Sequence, residues 1–259
     1  MKPISSGANP RYKALRKLVQ SSQERRRTGL SMLDGVHLVA AYREHVGLPR
    51  TIAVSRSALV NPEVRVLLEA MPGIETLALG DALFAGLSTV TTPTGIVAVV
   101  ETPRFRAGVP TMSSCVMLED LQDPGNLGSI LRSCAASGIT DVLLSKGSVH
   151  AWSPRVLRAG MGAHFMLRIR EDADLAAAAR DFPGRLLATA PQAPQMVFDT
   201  DLTGTVGFLF GNEGAGLSAA LLAAAHSVMA ISMPGKGESL NVAAAAAVCL
   251  FERVRQLRQ

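Results

Sequence analysis

The chain is poor in the residues that build disulfide frameworks and metal sites. Its 259 residues include three cysteines and five histidines. Cys115, Cys134 and Cys249 lie far apart in the sequence, and neither they nor the histidines show the close pairwise spacing of zinc ligands. We therefore expect no metal site, and we interpret the cysteines as small buried side chains in a reducing compartment.

Long apolar runs are also missing. No stretch approaches the ~18 uninterrupted apolar residues of a membrane helix, so we expect no membrane-spanning segment. The N-terminus enters charged residues directly, without the apolar region of a signal peptide, which predicts a cytoplasmic location. Aromatic residues make up only 4% of the chain, but hydrophobic residues make up 48%, as in an ordinary α/β protein with a real core.

Acidic residues are scarce in the first fifty positions. This segment holds ten Lys or Arg residues and three acids, a balance of +7, in a chain whose net charge is +5. A basic arm on a nearly neutral body favours a polyanionic partner, because Lys and Arg bind phosphates and release counterions. A solvated helix face would explain the same charges, and charge alone does not choose between the two.

Strand-like and helical patterns alternate along both halves of the chain. Residues 1–100 predict a small α/β domain that carries the basic arm, and the proline-containing segment 101–113 predicts a linker. Residues 114–259 predict a larger α/β domain with a parallel sheet flanked by helices. We expect its strands at 115–119, 142–144, 164–169, 185–190, 206–210 and 228–231.

Two glycine-bearing loops follow predicted strands near the end of the chain, at residues 211–216 and 233–241. In parallel sheets, ligands bind beyond the carboxyl ends of the strands, where glycine lets a ligand approach the backbone. The two loops therefore predict one small-molecule pocket. A dinucleotide site is disfavoured, because the GxGxxG pattern is absent, and the loop at 119–132 lacks the Lys-Ser/Thr end of a nucleotide P-loop.

Three segments, in order, resemble the motifs of the SpoU/TrmH family of SPOUT-type RNA methyltransferases. Residues 123–128 read Asp-Pro-Gly-Asn-Leu-Gly and precede Arg132, and residues 210–217 read Phe-Gly-Asn-Glu-Gly-Ala-Gly-Leu. Residues 233–245 begin with Met-Pro and end with Glu-Ser-Leu-Asn-Val-Ala-Ala-Ala. In the first half, residues 33–39 and 92–99 resemble the substrate-binding domain of the ribosomal-RNA members, which is similar to a small ribosomal protein.

The resemblance implies a trefoil knot in the C-terminal domain, a homodimer, and S-adenosylmethionine as the cofactor. It also implies which residues form the cofactor pocket. By position in the motifs and in the preceding strand these are Thr189, Ala190, Gly211, Ile231, Met233, Ser239 and Leu240.

The implied reaction is methyl transfer to a ribose 2′-hydroxyl, for which the enzyme must align the two groups and remove a proton. The implied catalytic residues are Asn126, Arg132, Glu213, Ser239 and Asn241. The family assigns hydroxyl activation to Arg132, yet a guanidinium group holds its proton firmly. Binding of the 3′ phosphate, or stabilisation of the developing alkoxide, is the alternative role. Ser239 and Asn241 also suit helix caps.

Three functional alternatives remain open from the sequence. The large N-terminal domain favours ribosomal RNA as the substrate, whereas transfer-RNA members typically carry short helical extensions. A transfer-RNA methyltransferase is therefore the second choice. The third is a non-catalytic RNA-binding assembly factor with the same fold. Trp152 could stack on an RNA base or simply pack in the interior.

Overall fold

The computed structural model describes residues 1–90, 92–103, 105, 113–235, 237 and 239–258. The chain forms two compact units, which we call the first and second units. The first unit comprises Met1–Pro103 and Trp152–Phe165, and the second comprises Arg104–Ala151 and Met166–Gln259. The predicted linker at 101–113 falls largely outside the described residues.

The first unit is built on a five-stranded mixed sheet. Its strands are β1 (Lys2–Ile4), β2 (Leu30–Asp34), β3 (Thr51–Ser55), β4 (Glu75–Leu79) and β5 (Ile96–Glu101), in the spatial order β1-β4-β3-β5-β2. The pairs β1/β4 and β3/β4 are parallel, whereas β5 runs antiparallel to β2 and β3. The helices of the first hundred residues are α1 (Pro10–Gln20), α2 (Ser22–Thr28), α3 (Val36–His45), α4 (Pro62–Glu69) and α5 (Asp81–Ala85).

The basic arm forms two helices where the sequence pattern predicts one over residues 9–27. Asn9 caps α1 by accepting a hydrogen bond from the Arg11 N–H, with Pro10 in the first helical turn. Ser21 then adopts an extended backbone, and its side chain accepts from the Glu24 N–H to start α2. A serine favours this cap geometry over a helix interior, which explains the break. Gly29, at a φ of 67°, ends α2, because glycine adopts this left-handed conformation without strain.

The second unit contains a seven-stranded sheet in which every pairing is parallel, so the predicted α/β fold with a parallel sheet is confirmed. The spatial order is β10-β12-β9-β11-β6-β7-β8. The strands are β6 (Cys115–Leu118), β7 (Asp141–Ser145), β8 (Arg168–Ala173), β9 (Arg185–Thr189), β10 (Gln195–Met196), β11 (Val206–Phe210) and β12 (Ser227–Ala230). Its helices are α6 (Pro124–Ser137), α8 (Leu175–Arg180), α9 (Ala219–Ala224) and α10 (Val242–Gln256), and α6 packs against α10.

The prediction of a strand at 164–169 is wrong. The segment Ala163–Met166 forms a 3₁₀ turn, and β8 begins only at Arg168. The turn packs His164 against Trp152, with 5.3 Å between the ring centroids. Trp152 is only 1% exposed, which selects the packing alternative for this side chain. The helix before this turn, α7 (Pro154–Gly160), belongs to the first unit.

The three cysteines have free, buried thiols, as expected of small core residues. Burial raises the pKa of Cys115 and of Cys249 to about 12, so both thiols stay protonated at neutral pH. Across the described part of the chain, no three His, Cys, Asp or Glu side chains form a group that could hold a metal ion. No helix among those residues is long and apolar enough to cross a membrane.

Candidate active site

Four adjacent strands of the second unit bring the predicted site residues to one edge of the sheet. The strands β12, β9, β11 and β6 are neighbours and all parallel, so their carboxyl ends share that edge. The register places Phe210 beside Leu118, and Met229 beside Thr189, at the strand ends. The loops that follow these strands are therefore close in space although they are distant in sequence.

A cavity of about 350 Å³ lies in the second unit at this edge of the sheet. Its volume falls within the range of ~300–1,000 Å³ that is typical of small-molecule sites. The cavity is lined by all seven residues that the resemblance implies for the cofactor: Thr189, Ala190, Gly211, Ile231, Met233, Ser239 and Leu240. One cavity thus gathers residues from three separate loops.

The cavity wall combines apolar side chains with closely packed backbone. Ile231, Met233 and Leu240 supply apolar surface. Gly211 is buried, and a Cβ atom at this position would lie 2.2 Å from the carbonyl carbon of Gly216. Only glycine fits this close approach between the two ends of the loop. The wall therefore combines apolar side chains with backbone groups, which suits a partly apolar ligand.

Asn212 fixes the shape of the loop after β11. Its Oδ1 accepts hydrogen bonds from the N–H groups of Gly214 and Ala215, both at 2.9 Å. Its Nδ2 donates to the carbonyl of Asp120 at 2.8 Å, which ties the loop to the end of β6. Asn212 is not among the residues that the resemblance implies for the site, although an Asn two residues before Gly is typical of a turn closed by its own side chain.

Glu213 links the same loop to the start of α6. One carboxylate oxygen accepts from the Asp123 N–H at 3.0 Å and from Asn126 Nδ2 at 3.1 Å, and the other accepts from the Gln122 N–H at 3.1 Å. Loss of hydration at the loop acts to raise the pKa of Glu213, but the hydrogen bonds from Asn126, Asp123 and Gln122 outweigh this effect and lower the pKa. Glu213 is therefore an ionised anchor at neutral pH.

Asn126 and Asn241 continue this chain of hydrogen bonds. Asn241 Nδ2 donates to Asn126 Oδ1 at 2.8 Å, and Asn241 Oδ1 caps α10 by accepting from the Ala243 N–H at 2.9 Å. Asn241 therefore both caps a helix and orients Asn126. Ser239 caps no helix, because Asn241 is the N-cap of α10, and it lines the cavity instead.

The first motif forms the start of α6. The helix begins at Pro124, with Asp123 as its N-cap. The Asp123 carboxylate accepts from the Asn126 N–H at 2.8 Å. Asn126 consequently lies in the first helical turn, where its position is rigid.

Arg132 lies apart from this chain of hydrogen bonds. It lies six positions after Asn126, which corresponds to ~9 Å along a helix axis. Its side chain is exposed, and it makes no hydrogen bond or ion pair with any residue that the structure describes. Arg132 is thus an exposed cation whose guanidinium N–H groups are available to a ligand. It does not belong to the hydrogen-bonded chain of Glu213, Asn126 and Asn241.

The fold and the cavity define an α/β protein with a pocket of small-molecule size at the carboxyl edge of its parallel sheet. Comparison with known proteins shows the family. The model of the SpoU rRNA methylase family matches residues 113–251, and that of the MRM3-like substrate binding domain matches residues 9–98. The chain belongs to the SpoU rRNA methylase family.

Relatives and solved structures match nearly the whole chain. An uncharacterized tRNA/rRNA methyltransferase of Synechocystis is 36% identical over 258 residues, covering 98% of this chain and 93% of the relative. The 23S rRNA (guanosine(2553)-2′-O)-methyltransferase RlmP of Bacillus subtilis is 30% identical, covering 97% and 98%. The structure of the SpoU methyltransferase AviRb from Streptomyces viridochromogenes in complex with AdoMet superimposes with a TM-score of 0.87, at 29% identity, covering 97% and 99%.

Proposed function

We propose that this protein methylates ribose 2′-hydroxyls of ribosomal RNA, with S-adenosylmethionine as the methyl donor. The observation that carries the proposal is the single cavity lined by all seven residues implied for the cofactor. It stands beside the hydrogen-bonded Glu213, Asn126 and Asn241. The relatives that match nearly the whole chain include a ribosomal-RNA 2′-O-methyltransferase.

The cavity fits the chemistry of this cofactor. Ile231, Met233 and Leu240 would cover the apolar faces of the adenosyl group, while the backbone around Gly211 and Ala190 would recognise its polar edges. When bound, the cofactor supplies an electrophilic methyl group. The close packing at Gly211 keeps side chains out of this part of the wall.

The remaining residues align the ribose. Asn126 is held from both sides, by Glu213 and by Asn241, so its amide orientation is fixed before RNA binds. Ser239 adds a hydroxyl on the cavity wall. We assign to these groups the orientation of the 2′-hydroxyl toward the donor.

We assign to Arg132 a role in charge stabilisation. Its guanidinium is exposed, and within the described residues it has no carboxylate partner that would compete for its donors. A guanidinium binds phosphate through paired hydrogen bonds and stabilises a developing alkoxide, but it is a poor proton acceptor. Arg132 thus binds the RNA phosphate beside the reacting ribose, or the alkoxide itself.

Ribosomal RNA is favoured over transfer RNA because residues 9–98 match the MRM3-like substrate binding domain, and because a relative that matches nearly the whole chain is a 23S rRNA 2′-O-methyltransferase. The α1 helix of this domain presents three exposed cations on one face, at Lys13, Arg16 and Lys17. Cations in a row on a helix suit a phosphate backbone. A cytoplasmic location is part of the proposal, and it rests on the likeness to the Bacillus subtilis relative.

A homodimer is a further part of the proposal. It rests on the family resemblance and on the exposed apolar side chains of the C-terminal segment, where Phe251 is 48% and Leu257 is 51% exposed. These two side chains alone do not form an interface, so the family resemblance carries this part of the proposal. Sedimentation equilibrium of the purified protein would test it, and a monomer at micromolar concentration would contradict it.

Methyl transfer from labelled S-adenosylmethionine to purified, unmodified RNA tests the function. We expect label in ribosomal RNA, at a ribose 2′-oxygen, and none in transfer RNA. Label only in transfer RNA would favour the second candidate substrate. Cofactor binding by calorimetry without label in any RNA would refute the enzymatic function and favour the assembly-factor alternative.

A further inference from the structure

Asp120, directly after β6, has an unusual backbone conformation. Its φ is 51°, in the left-handed region that residues other than glycine rarely adopt. Asp and Asn tolerate this region best, because their short side chains can form local hydrogen bonds. A conformation of this kind persists when its surroundings enforce it, and it often marks a functional site.

Hydrogen bonds from three loops hold Asp120 in place. Its N–H donates to Ser145 Oγ at 2.8 Å, and the same hydroxyl donates to its Oδ1 at 2.5 Å. Its carbonyl accepts from Asn212 Nδ2 at 2.8 Å and from Gln122 Nε2 at 3.0 Å. The loops that follow β6, β7 and β11 are therefore joined at this one residue.

Gly147 completes the junction. A Cβ atom at this position would lie 2.2 Å from Oδ1 of Asp120. The loop after β7 can therefore approach Asp120 this closely only because residue 147 is glycine. Gln122 also donates to the carbonyl of Gly147 at 2.8 Å, which fixes the side chain of Gln122 between two loops. The side chains of Asp120 and Gln122 thus both stabilise the turn at residues 120–122 by hydrogen bonds.

The turn presents the next two backbone N–H groups to the candidate active site. The N–H groups of Gln122 and Asp123 both donate to the Glu213 carboxylate. Glu213 accepts from Asn126, and Asn126 accepts from Asn241. The conformation of Asp120 therefore sets the position of the anchor on which Asn126 depends.

We infer that Asp120, together with Gln122, is a positioning residue that holds Glu213 and Asn126 in their reactive arrangement. The expected effect on kcat rests on the proposed methyl transfer. The effect on the geometry of the turn does not depend on any substrate. Neither side chain lines the cofactor cavity. Asn212 and Glu213, which Asp120 positions, do lie on the cavity wall, so we expect a strong effect on turnover and only a small one on cofactor affinity.

Three substitutions at Asp120 separate the parts of this role. Asp120→Asn keeps the acceptor for Ser145 and tolerates the left-handed backbone, Asp120→Gly keeps only the backbone, and Asp120→Ala keeps neither. Gln122→Met, at an exposed side chain, removes the second lock with little risk to folding. Asp181→Ala is the matched control, since Asp181 is exposed and has a right-handed backbone with a φ of −89°.

Kinetics with RNA and calorimetry with S-adenosylmethionine give the first readout. We expect Asp120→Ala to lower kcat by about tenfold to a hundredfold, the usual range for misplaced reacting groups, with Kd for the cofactor changed by less than about threefold. Gln122→Met should lower kcat in the same direction. Asp120→Asn should restore kcat to near the wild-type value, Asp120→Gly should be intermediate, and Asp181→Ala should match the wild type.

Amide hydrogen exchange, followed by NMR without RNA, gives a second readout that does not depend on activity. Asp120→Ala should accelerate exchange at the N–H groups of Gln122 and Asp123, and Asp120→Asn should not. Wild-type kcat and wild-type exchange in Asp120→Ala would overturn the inference. So would an Asp120→Asn variant as impaired as Asp120→Ala, because the carboxylate would then act through its charge. If the wild type methylates no RNA, the proposed function fails, and exchange alone decides the positioning role.

Discussion

Replacing Glu213 by Gln tests whether the carboxylate is the anchor of the candidate site. One carboxylate oxygen accepts from the Asp123 N–H and from Asn126 Nδ2, and a glutamine oxygen can keep both bonds. The other oxygen accepts from the Gln122 N–H, and in the variant an NH₂ group would face this donor. The variant therefore loses one hydrogen bond and the negative charge.

The structure sets the size of the expected effect. A buried hydrogen bond to a charged group contributes ~1.5–3 kcal/mol, and the exposure of the Glu213 side chain reduces this to about 1 kcal/mol of unfolding free energy. Because the folded protein lowers the pKa of Glu213, the stabilisation is complete above the ordinary value of 4.5. It is lost as the pH falls through the lower pKa of the folded state.

Urea unfolding of both proteins at about pH 7 and about pH 3.5 measures this difference. Glu213→Gln should be less stable than the wild type at the higher pH, and the gap should shrink at the lower one. Glu44→Gln is the control, since Glu44 is an exposed carboxylate on α3, and it should change neither value. Equal stabilities at neutral pH, or a gap that persists in acid, would refute the anchoring role.

Three further predictions concern the cofactor, the reaction and RNA. Gly211→Ala should weaken S-adenosylmethionine binding by roughly fivefold to a hundredfold in calorimetry, since overpacking against Gly216 costs ~1–3 kcal/mol. The control Gly80→Ala, which meets no atom within 4 Å, should bind normally. Arg132→Ala should keep cofactor affinity and lose ~10²-fold or more in methyl transfer, and equal turnover would rule out its central role. Replacing three exposed α1 cations by Ala should reduce the slope of log K for RNA binding against log salt concentration by about two units. The control Arg65→Ala, at a residue that lies beside Glu69, should leave this slope unchanged. The three cations are Lys13, Arg16 and Lys17.

The parallel sheet and the cavity were predictable because they depend on local patterns. The apolar run Val206–Phe210 is followed at once by glycines, which places a loop at the carboxyl end of a buried strand. Parallel strands bring all such loops to one edge, so the motifs could be placed together before their geometry was known. The role of Asn241 as helix cap was also visible in its residue type.

Other features depend on contacts between distant residues, which a single sequence does not show. The left-handed Asp120 is held by Ser145 and Asn212, and both lie more than twenty residues away. The 3₁₀ turn at Ala163–Met166 packs against Trp152 and lacks a period of its own. The two-residue strand β10 exists only through its pairing with β12. In each case tertiary packing overrides or replaces the local signal.

The hydrogen-bonded chain also shows what the motif alone leaves out. The motifs include Glu213 and Asn126, but they do not indicate how the two are connected. The Glu213 carboxylate accepts hydrogen bonds from two backbone N–H groups and from the side-chain amide of Asn126. That geometry makes Glu213 a structural anchor for Asn126, and it separates both from Arg132, whose guanidinium makes none of these contacts.

Mapping of 2′-O-methyl groups in ribosomal RNA, in cells with and without this gene, tests the central claim most directly. We predict that one ribose loses its methyl group in the deletion strain. The wild-type gene should restore it, and the Arg132→Ala allele should not. An unchanged map of ribosomal-RNA methylation in the deletion strain would contradict the proposal.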